Sequence, residues 1–253
     1  MSVAIHPFDD ARLSIERAHE HVDEFEARLH RFLAGNPWTA RIEPKGDGAN
    51  YIHKLLFTDG IDRRIKLPAA DALRNLRAAL DQLTAASARL NGAPRLNGLH
   101  FPFLDDPSSW EKVIKRKCRF VPQPVIDFFG SLRPYKGGDD DLRVLNSLRN
   151  DNDHWALTDI LLTVSDVAVT RPGQRQQVIA FPEWPTSGIN EVELFTAPSA
   201  ESDYSLAVVI KIGFKIVPAL AGTPEMILRN LSKKVVEIVD RTEGIMRREG
   251  FPV

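Results

Sequence analysis

The sequence predicts an α+β protein, a helical bundle packed with or alongside a mostly antiparallel β-sheet. Two observations predict it. Three long stretches place apolar residues every three or four positions, and two other stretches place them at every second position. Gly, Pro, Asn and Asp stand at most of the changes in period.

The first helix carries Ile15, Ala18, Val22, Phe25, Leu29 and Phe32, with Asp, Glu and Arg between them. Residues 38–43, 50–57 and 61–66 then read as strands, punctuated by Gly46-Asp47-Gly48 and Asp59-Gly60. The second helix aligns Leu73, Leu76, Leu80, Leu83, Ser87 and Leu90 and stops at Asn91-Gly92. Residues 110–129 predict two short helices interrupted at Pro122 and Pro124. A Gly- and Asp-rich loop at 135–141 follows, in which an aspartate can cap the next helix, the one carrying Leu142, Leu145 and Leu148. Further strands fit 161–170, 177–181, 191–196 and 206–217, with turns at 171–173 and 182–185. The last helix opens on Thr223 as N-cap and Pro224 at its first position. It runs through Ile227, Leu231, Val235, Ile238, Thr242 and Ile245 to Arg247, Arg248 and Gly250. Apolar stripes of this length suit antiparallel packing or a dimer seam rather than a long coiled coil. The expected organisation is a helical region over 1–160 with a β-hairpin or meander near 37–66. A β-rich region over 161–253 then ends in the long helix, and the two regions are able to form one domain.

Composition narrows the function classes. With 253 residues, 43% hydrophobic and 26% charged, the chain can bury a real core. A formal charge of −1 excludes a global electrostatic drive onto nucleic acid or anionic membrane. Any nucleic-acid contact must then use a local patch, for which Lys115, Arg116 and Lys117 are the best run. Cys118 is the single cysteine, so no intramolecular disulfide can form, which fits a reducing compartment. Its cationic neighbours would lower its pKa and make it reactive, whereas burial would leave it inert. The start lacks the pattern of a signal peptide, and no stretch reaches the ~18 apolar residues of a membrane span. The expected location is the cytoplasm. No Cys/His spacing suggests zinc, no phosphate-binding glycine loop is present, and no cofactor is expected.

The chemically pointed segment is Arg149-Asn150-Asp151-Asn152-Asp153-His154. Arginine offers a permanently charged fork that suits a phosphate, and histidine exchanges a proton near neutral pH. Together they can support metal-independent cleavage of an RNA backbone. Spacing alone is not selective, since Arg12–His19 and Arg95–His100 show a similar interval. Asn150 after the arginine and the leucine-patterned helix before it single out the third match. On a straight helix, positions 149 and 154 lie about 140° apart. A working pair therefore needs a break near Asp151, which this Asp/Asn run favours, or a partner chain.

The segment resembles the motif of the HEPN superfamily (higher eukaryotes and prokaryotes nucleotide-binding), an arginine, four to six intervening residues and then a histidine, often with a polar residue directly after the arginine. The resemblance covers the helical part, roughly 9–34 and 69–160, and implies a helical bundle that is commonly dimeric. It also implies RNA or nucleotide as partner, with Arg149, Asn150 and His154 as catalytic residues and Lys115, Arg116 and Lys117 holding substrate. A second resemblance is to bacterial proteins with a Leu-Arg-x-Ala-Leu-Asp-His-Leu helix and a later Asn-x-x-Lys-His element. The counterparts here are residues 76–83 and 150–154, with Gln82 in place of the histidine and Asp153 in place of the lysine. It implies that Arg77, Asp81, Asn150 and His154 lie near one another between packed helices. Two alternatives stay open. One is a non-catalytic helical module that dimerises and binds a ligand or protein. In the other, the hexapeptide is only a helix junction.

Overall fold

A computed structural model of the chain describes residues 6–57, 63–154, 160–170, 175–180, 191–198, 200, 204–214 and 222–253. Within these, the side chains of 57, 63, 149–154, 160–166, 179–180, 192 and 208–214 lie outside the description. The helices are α1 (Asp9–Ala34), α2 (Arg63–Leu90), α3 (Trp110–Lys117), α4 (Gln123–Ser131), α5 (Asp140–His154) and α6 (Pro224–Arg248). The strands are β1 (Trp38–Pro44), β2 (Tyr51–Phe57), β3 (Ile160–Thr170), β4 (Gln177–Ala180), β5 (Glu191–Ala197) and β6 (Ser205–Phe214). The chain is α+β, and every described strand pairing is antiparallel. Among the described residues, no helix is long and apolar enough to cross a membrane.

Contacts divide the chain into two units that follow packing rather than chain order. One comprises residues 1–26, 66–158 and 216–253, and the other 27–65 and 159–215.

The helical unit is organised by the apolar stripes. In α1 Ile15, Ala18 and Val22 are buried, in α2 Leu73, Leu76, Leu80 and Leu83, and in α6 Ile227, Leu231, Val235 and Ile238. Removing this much apolar surface from water is the main favourable term for a bundle. Polar residues on the same stripes satisfy themselves locally: the hydroxyls of Thr84, Ser87 and Thr242 donate to the carbonyl one turn back at 2.8–2.9 Å. Surface pairs fix neighbours. Arg12 of α1 meets Asp240 and Glu243 of α6, and Arg229 of α6 meets Asp23 and Glu26 of α1. Ser14 of α1 donates to Gln82 of α2 at 2.8 Å. Helix starts follow cap chemistry: Thr223 accepts from the Met226 amide, and Asp139 from the Leu142 amide at 2.9 Å. Asp139 also receives Lys234 of α6 at 2.7 Å, which ties α5 to α6. Between α3 and α4 the chain breaks at 118–122, where Pro122 and Pro124 open α4 and Phe120 sits at φ 67°.

The strand unit contains two three-stranded sheets, ordered β1-β2-β5 and β4-β3-β6. The β1–β2 hairpin is closed by the Lys45 amide donating to Asn50 at 2.7 Å, while Asp47 accepts from the Ala49 and Asn50 amides. Gly48 takes φ 70°, the left-handed conformation this turn requires. Lys54 of β2 bridges Glu43 of β1 and Glu191 of β5, at 2.8 and 3.1 Å. Leu55 and Leu194 from one sheet share a core with Val167 and Val169 from the other. His53, 1% exposed, stacks on Phe195 and places Nδ1 2.8 Å from the Tyr204 hydroxyl.

Two expectations are corrected. The strand read at 61–66 is the first turn of α2 from Arg63 onward, with 61 and 62 outside the described residues. Burial there steps by four, at Ile65, Ala69 and Leu73, so the helix continues outward past Pro68. A proline inside a helix lacks the N–H that the carbonyl four residues back would accept. Here the guanidinium of Arg28 donates to that Arg64 carbonyl at 2.7 Å. The break expected near Asp151 is also absent, because α5 runs unbroken to His154. Asn and Asp each cost up to ~0.7 kcal/mol in a helix, and buried Leu142, Val144, Leu145 and Leu148 outweigh that.

In urea denaturation, Arg28→Ala should lower stability by about 1 kcal/mol. The loss should shrink in a Pro68→Ala background, where the restored amide serves the Arg64 carbonyl.

Candidate functional site

The cleft on the helical unit begins with two residues one turn apart on α2. Arg77 is only 9% exposed, so its charge must find partners inside. Its Nε lies 3.4 Å from both carboxylate oxygens of Asp81, and Nη1 donates to Asn146 Oδ1 of α5 at 2.6 Å. The guanidinium plane covers the Phe103 ring, with Cζ 4.2 Å from its centroid.

Asp81 reaches the other wall. The extended segment after α2 alternates, burying Leu99 and Phe101 and leaving the His100 side chain 52% exposed. Phe101 is anchored by Phe103 and by Phe129 of α4, at ring distances of 4.9 and 4.8 Å. That anchoring lets the Phe101 amide donate to Asp81 Oδ1 at 2.8 Å and holds His100 Nδ1 3.3 Å from Oδ2. The end of α3 is stitched to the same segment: the His100 amide donates to the Lys117 carbonyl at 3.0 Å, and Lys117 Nζ donates to the Phe103 carbonyl at 2.9 Å.

These walls enclose about 610 Å³, lined by Arg77, Asp81, His100, Arg116, Lys117 and Asn146 together with the 103–106 segment. That volume is in the ~300–1,000 Å³ range of ligand pockets. A smaller recess of about 220 Å³ shares Phe103, Leu104, Asp105 and Asn146 and adds Tyr135, Lys136 and Arg143.

The inner wall is cationic. Asp81 is engaged by Arg77, His100 and the Phe101 amide, and Asp106 caps the 3₁₀ turn at Pro107–Ser109. Asp105 stands exposed at the rim. Among the described residues neither Arg116 nor Lys117 makes an ion pair. Burial pushes the Lys117 ammonium below its ordinary value, and Arg77 and Arg116 push the same way against Asp81. An anion entering the cleft would offset the repulsion from Arg77 and Arg116 but not the burial. Among the described residues, no group of His, Cys, Asp and Glu is placed to hold a metal ion.

No family model, no curated protein and no solved structure matches this chain.

Of the residues singled out in sequence, Arg77, Asp81, Arg116 and Lys117 meet in this cleft, whereas Lys115 is exposed and outside its lining. The side chains of Arg149, Asn150 and His154 lie outside the described residues; their backbone forms the end of α5, the helix that supplies Asn146. Positions 146, 150 and 154 follow one stripe, drifting about 40° at each step. Gln82, standing where the second resemblance has histidine, faces Ser14 of α1 instead of this cleft. His100, Phe103 and Asn146 were missed. The usable signal was the apolar run Leu99-His100-Phe101-Pro102-Phe103, in which the single titratable residue is the one left exposed between buried neighbours.

Cys118 is buried rather than activated. Burial pushes its thiol up to about 12, with Lys117 opposing and Asp81 adding to the effect.

Arg77→Ala should lower unfolding free energy by about 3 kcal/mol, since it takes the cationic partner from Asp81 and the donor from Asn146. Adding Asp81→Ala should cost less than the sum of the two single changes in urea titrations. The Cys118 thiol should alkylate far more slowly in native than in unfolded protein at pH 8. Because its folded pKa is raised, the stability it contributes is whole below pH 9 and falls as pH rises toward about 12.

Proposed function

We propose that this protein is a HEPN-like RNA-binding protein whose activity is metal-independent phosphodiester cleavage, with the α2–α3–α5 cleft holding the RNA backbone. The carrying observation is the convergence of Arg116 and Lys117, neither in an ion pair, with the buried Arg77 on one polar cleft. A phosphodiester supplies the ionic partner that Arg116 and Lys117 have not found among the described residues, and it accepts hydrogen bonds from both ammonium and guanidinium. The length of α5 adds support, because the same helix contributes Asn146 to the wall and carries Arg149, Asn150 and His154 on its last turns. In this reading Arg77 and Asp81 hold the walls in place, Arg116 and Lys117 take phosphate, and the Arg149–His154 segment belongs to the reacting end.

The other reading is a non-catalytic module that dimerises or binds protein. Its basis is a mainly apolar groove of about 420 Å³ along α1 and α6, lined by Val22, Val236 and the buried Ser232, whose hydroxyl has no described partner.

The test is fluorescence anisotropy with a labelled single-stranded RNA across a salt series. Arg116→Gln and Lys117→Met should each weaken binding and reduce the slope of log K against log salt by ~0.7. Lys115→Gln should change it less. A folded protein that binds no RNA at low salt, and sediments as a stable dimer, would overturn this reading in favour of the other.

A further inference from the structure

The cleft contains a proton-transfer pair that the hexapeptide does not include. His100 is held from both sides of its own backbone: its amide donates to the Lys117 carbonyl, and the next amide, that of Phe101, donates to Asp81. The ring presents Nδ1 to the same carboxylate at 3.3 Å, and half of the side chain remains open to the cleft. A carboxylate against one ring nitrogen selects the tautomer that protonates that nitrogen and leaves the other as an acceptor. Among the described residues, nothing hydrogen-bonds His100 Nε2. Asp81 is itself immobilised by Arg77, whose fork also grips α5 through Asn146. The result is a positioned imidazole, backed by a fixed carboxylate, opening onto a space lined by two cations from α3.

Resting on the RNA-binding reading of this cleft, we infer that His100 is a catalytic base of the cleavage, with Asp81 its positioning residue and Lys117 the acid. His100 Nε2 takes the proton of a ribose 2′-hydroxyl. The 2′-oxygen forms a bond to the adjacent phosphorus, and the bond from phosphorus to the 5′-oxygen breaks. The Lys117 ammonium gives a proton to that leaving oxygen. The products are a 2′,3′-cyclic phosphate end and a 5′-hydroxyl end. Proton exchange with water then resets the imidazolium and the lysine amine, so no oxidant, reductant or further reactant enters the balance. Lys117 suits the acid role because its ammonium is already disfavoured by burial and by Arg77 and Arg116. Arg116 remains to neutralise the phosphorus centre. Among the described residues, the remaining charged groups lining this space are Asp105 and Asp106, α5 contributes the neutral Asn146, and Lys136 and Arg143 line the adjoining recess.

The experiment measures cleavage of a 5′-labelled RNA by the full chain in EDTA, alongside its affinity for the same RNA. The wild type should produce 2′,3′-cyclic phosphate ends. His100→Ala should cut ~100-fold more slowly while binding RNA within about threefold of wild type, and added imidazole should restore part of the lost rate. A merely structural histidine would show no such rescue. Asp81→Asn should lower kcat tenfold or more with KM nearly unchanged; if that variant fails to fold, the imidazole rescue of His100→Ala decides alone. RNA that is bound but left intact by the wild type overturns this inference and leaves the binding reading standing. Full activity in His100→Ala with loss in His154→Ala overturns it as well. Loss of RNA binding in the wild type would instead remove the reading on which it rests.

Discussion

A guanidinium buried to all but 9% of its surface governs the arrangement of the helical unit. Taking a cation out of water costs several kcal/mol unless every face of it is met. Arg77 meets that demand in three directions: along its own helix to Asp81, across to Asn146 of α5, and below to the Phe103 ring. Each partner belongs to a different stretch of chain, so satisfying one side chain fixes three segments at once. Lysine at this position could not do the same, having neither the planar fork nor the flat face.

From that constraint the cleft follows. Asp81, oriented by Arg77, accepts the Phe101 amide and so sets the height of the 99–103 segment against α2. The buried rings of Phe101, Phe103 and Phe129 then hold that segment rigid, which places His100 at the opening rather than in the core. Lys117 is captured by a carbonyl of the same segment, so α3 ends with Arg116 and Lys117 on the lining of the cleft. The site is therefore built by packing of aromatic side chains and delivered as a polar surface. The buried histidine of the other unit is placed differently: His53 lies against Phe195, Tyr204 and the sheet core, where it packs rather than opens.

Much of this was legible along the chain. The stripes of α1, α2 and α6 are local periodicities, and a periodicity of apolar residues is what a helix buries. Leu142, Leu145 and Leu148 likewise marked α5, and Pro122 and Pro124 marked the gap before α4. The failures share one cause. Residues 61–66 read as a strand within a period-two stretch, yet from Arg63 onward they are helix, and Arg28, distant in sequence, serves the Arg64 carbonyl that Pro68 cannot. The Asp151–Asp153 run argues for a break, yet the buried leucines before it carry the helix on. In the site, Arg77 and Asp81 were found through the resemblance of residues 76–83 to the Leu-Arg-x-Ala-Leu-Asp-His-Leu helix, and Arg116 and Lys117 as a basic run. His100 and Asn146 have no such spacing to either.

The sequence by itself determined most of the helices and strands, residues 63–66 excepted, because those choices rest mainly on interactions within a few residues. It also supplied the polar hexapeptide and its place at the end of a leucine-patterned helix. Arg149, Asn150 and His154 remain there as positions on α5, joined in one helix that does not break. Tertiary structure alone decided that β2 pairs with the distant β5 as well as with its neighbour β1, that α6 joins the helices of the first part, and that Arg77, Asp81, His100 and Lys117 surround one cleft. Those outcomes depend on burying a charge and on packing aromatic rings between segments far apart in the chain, and no local pattern encodes such distances.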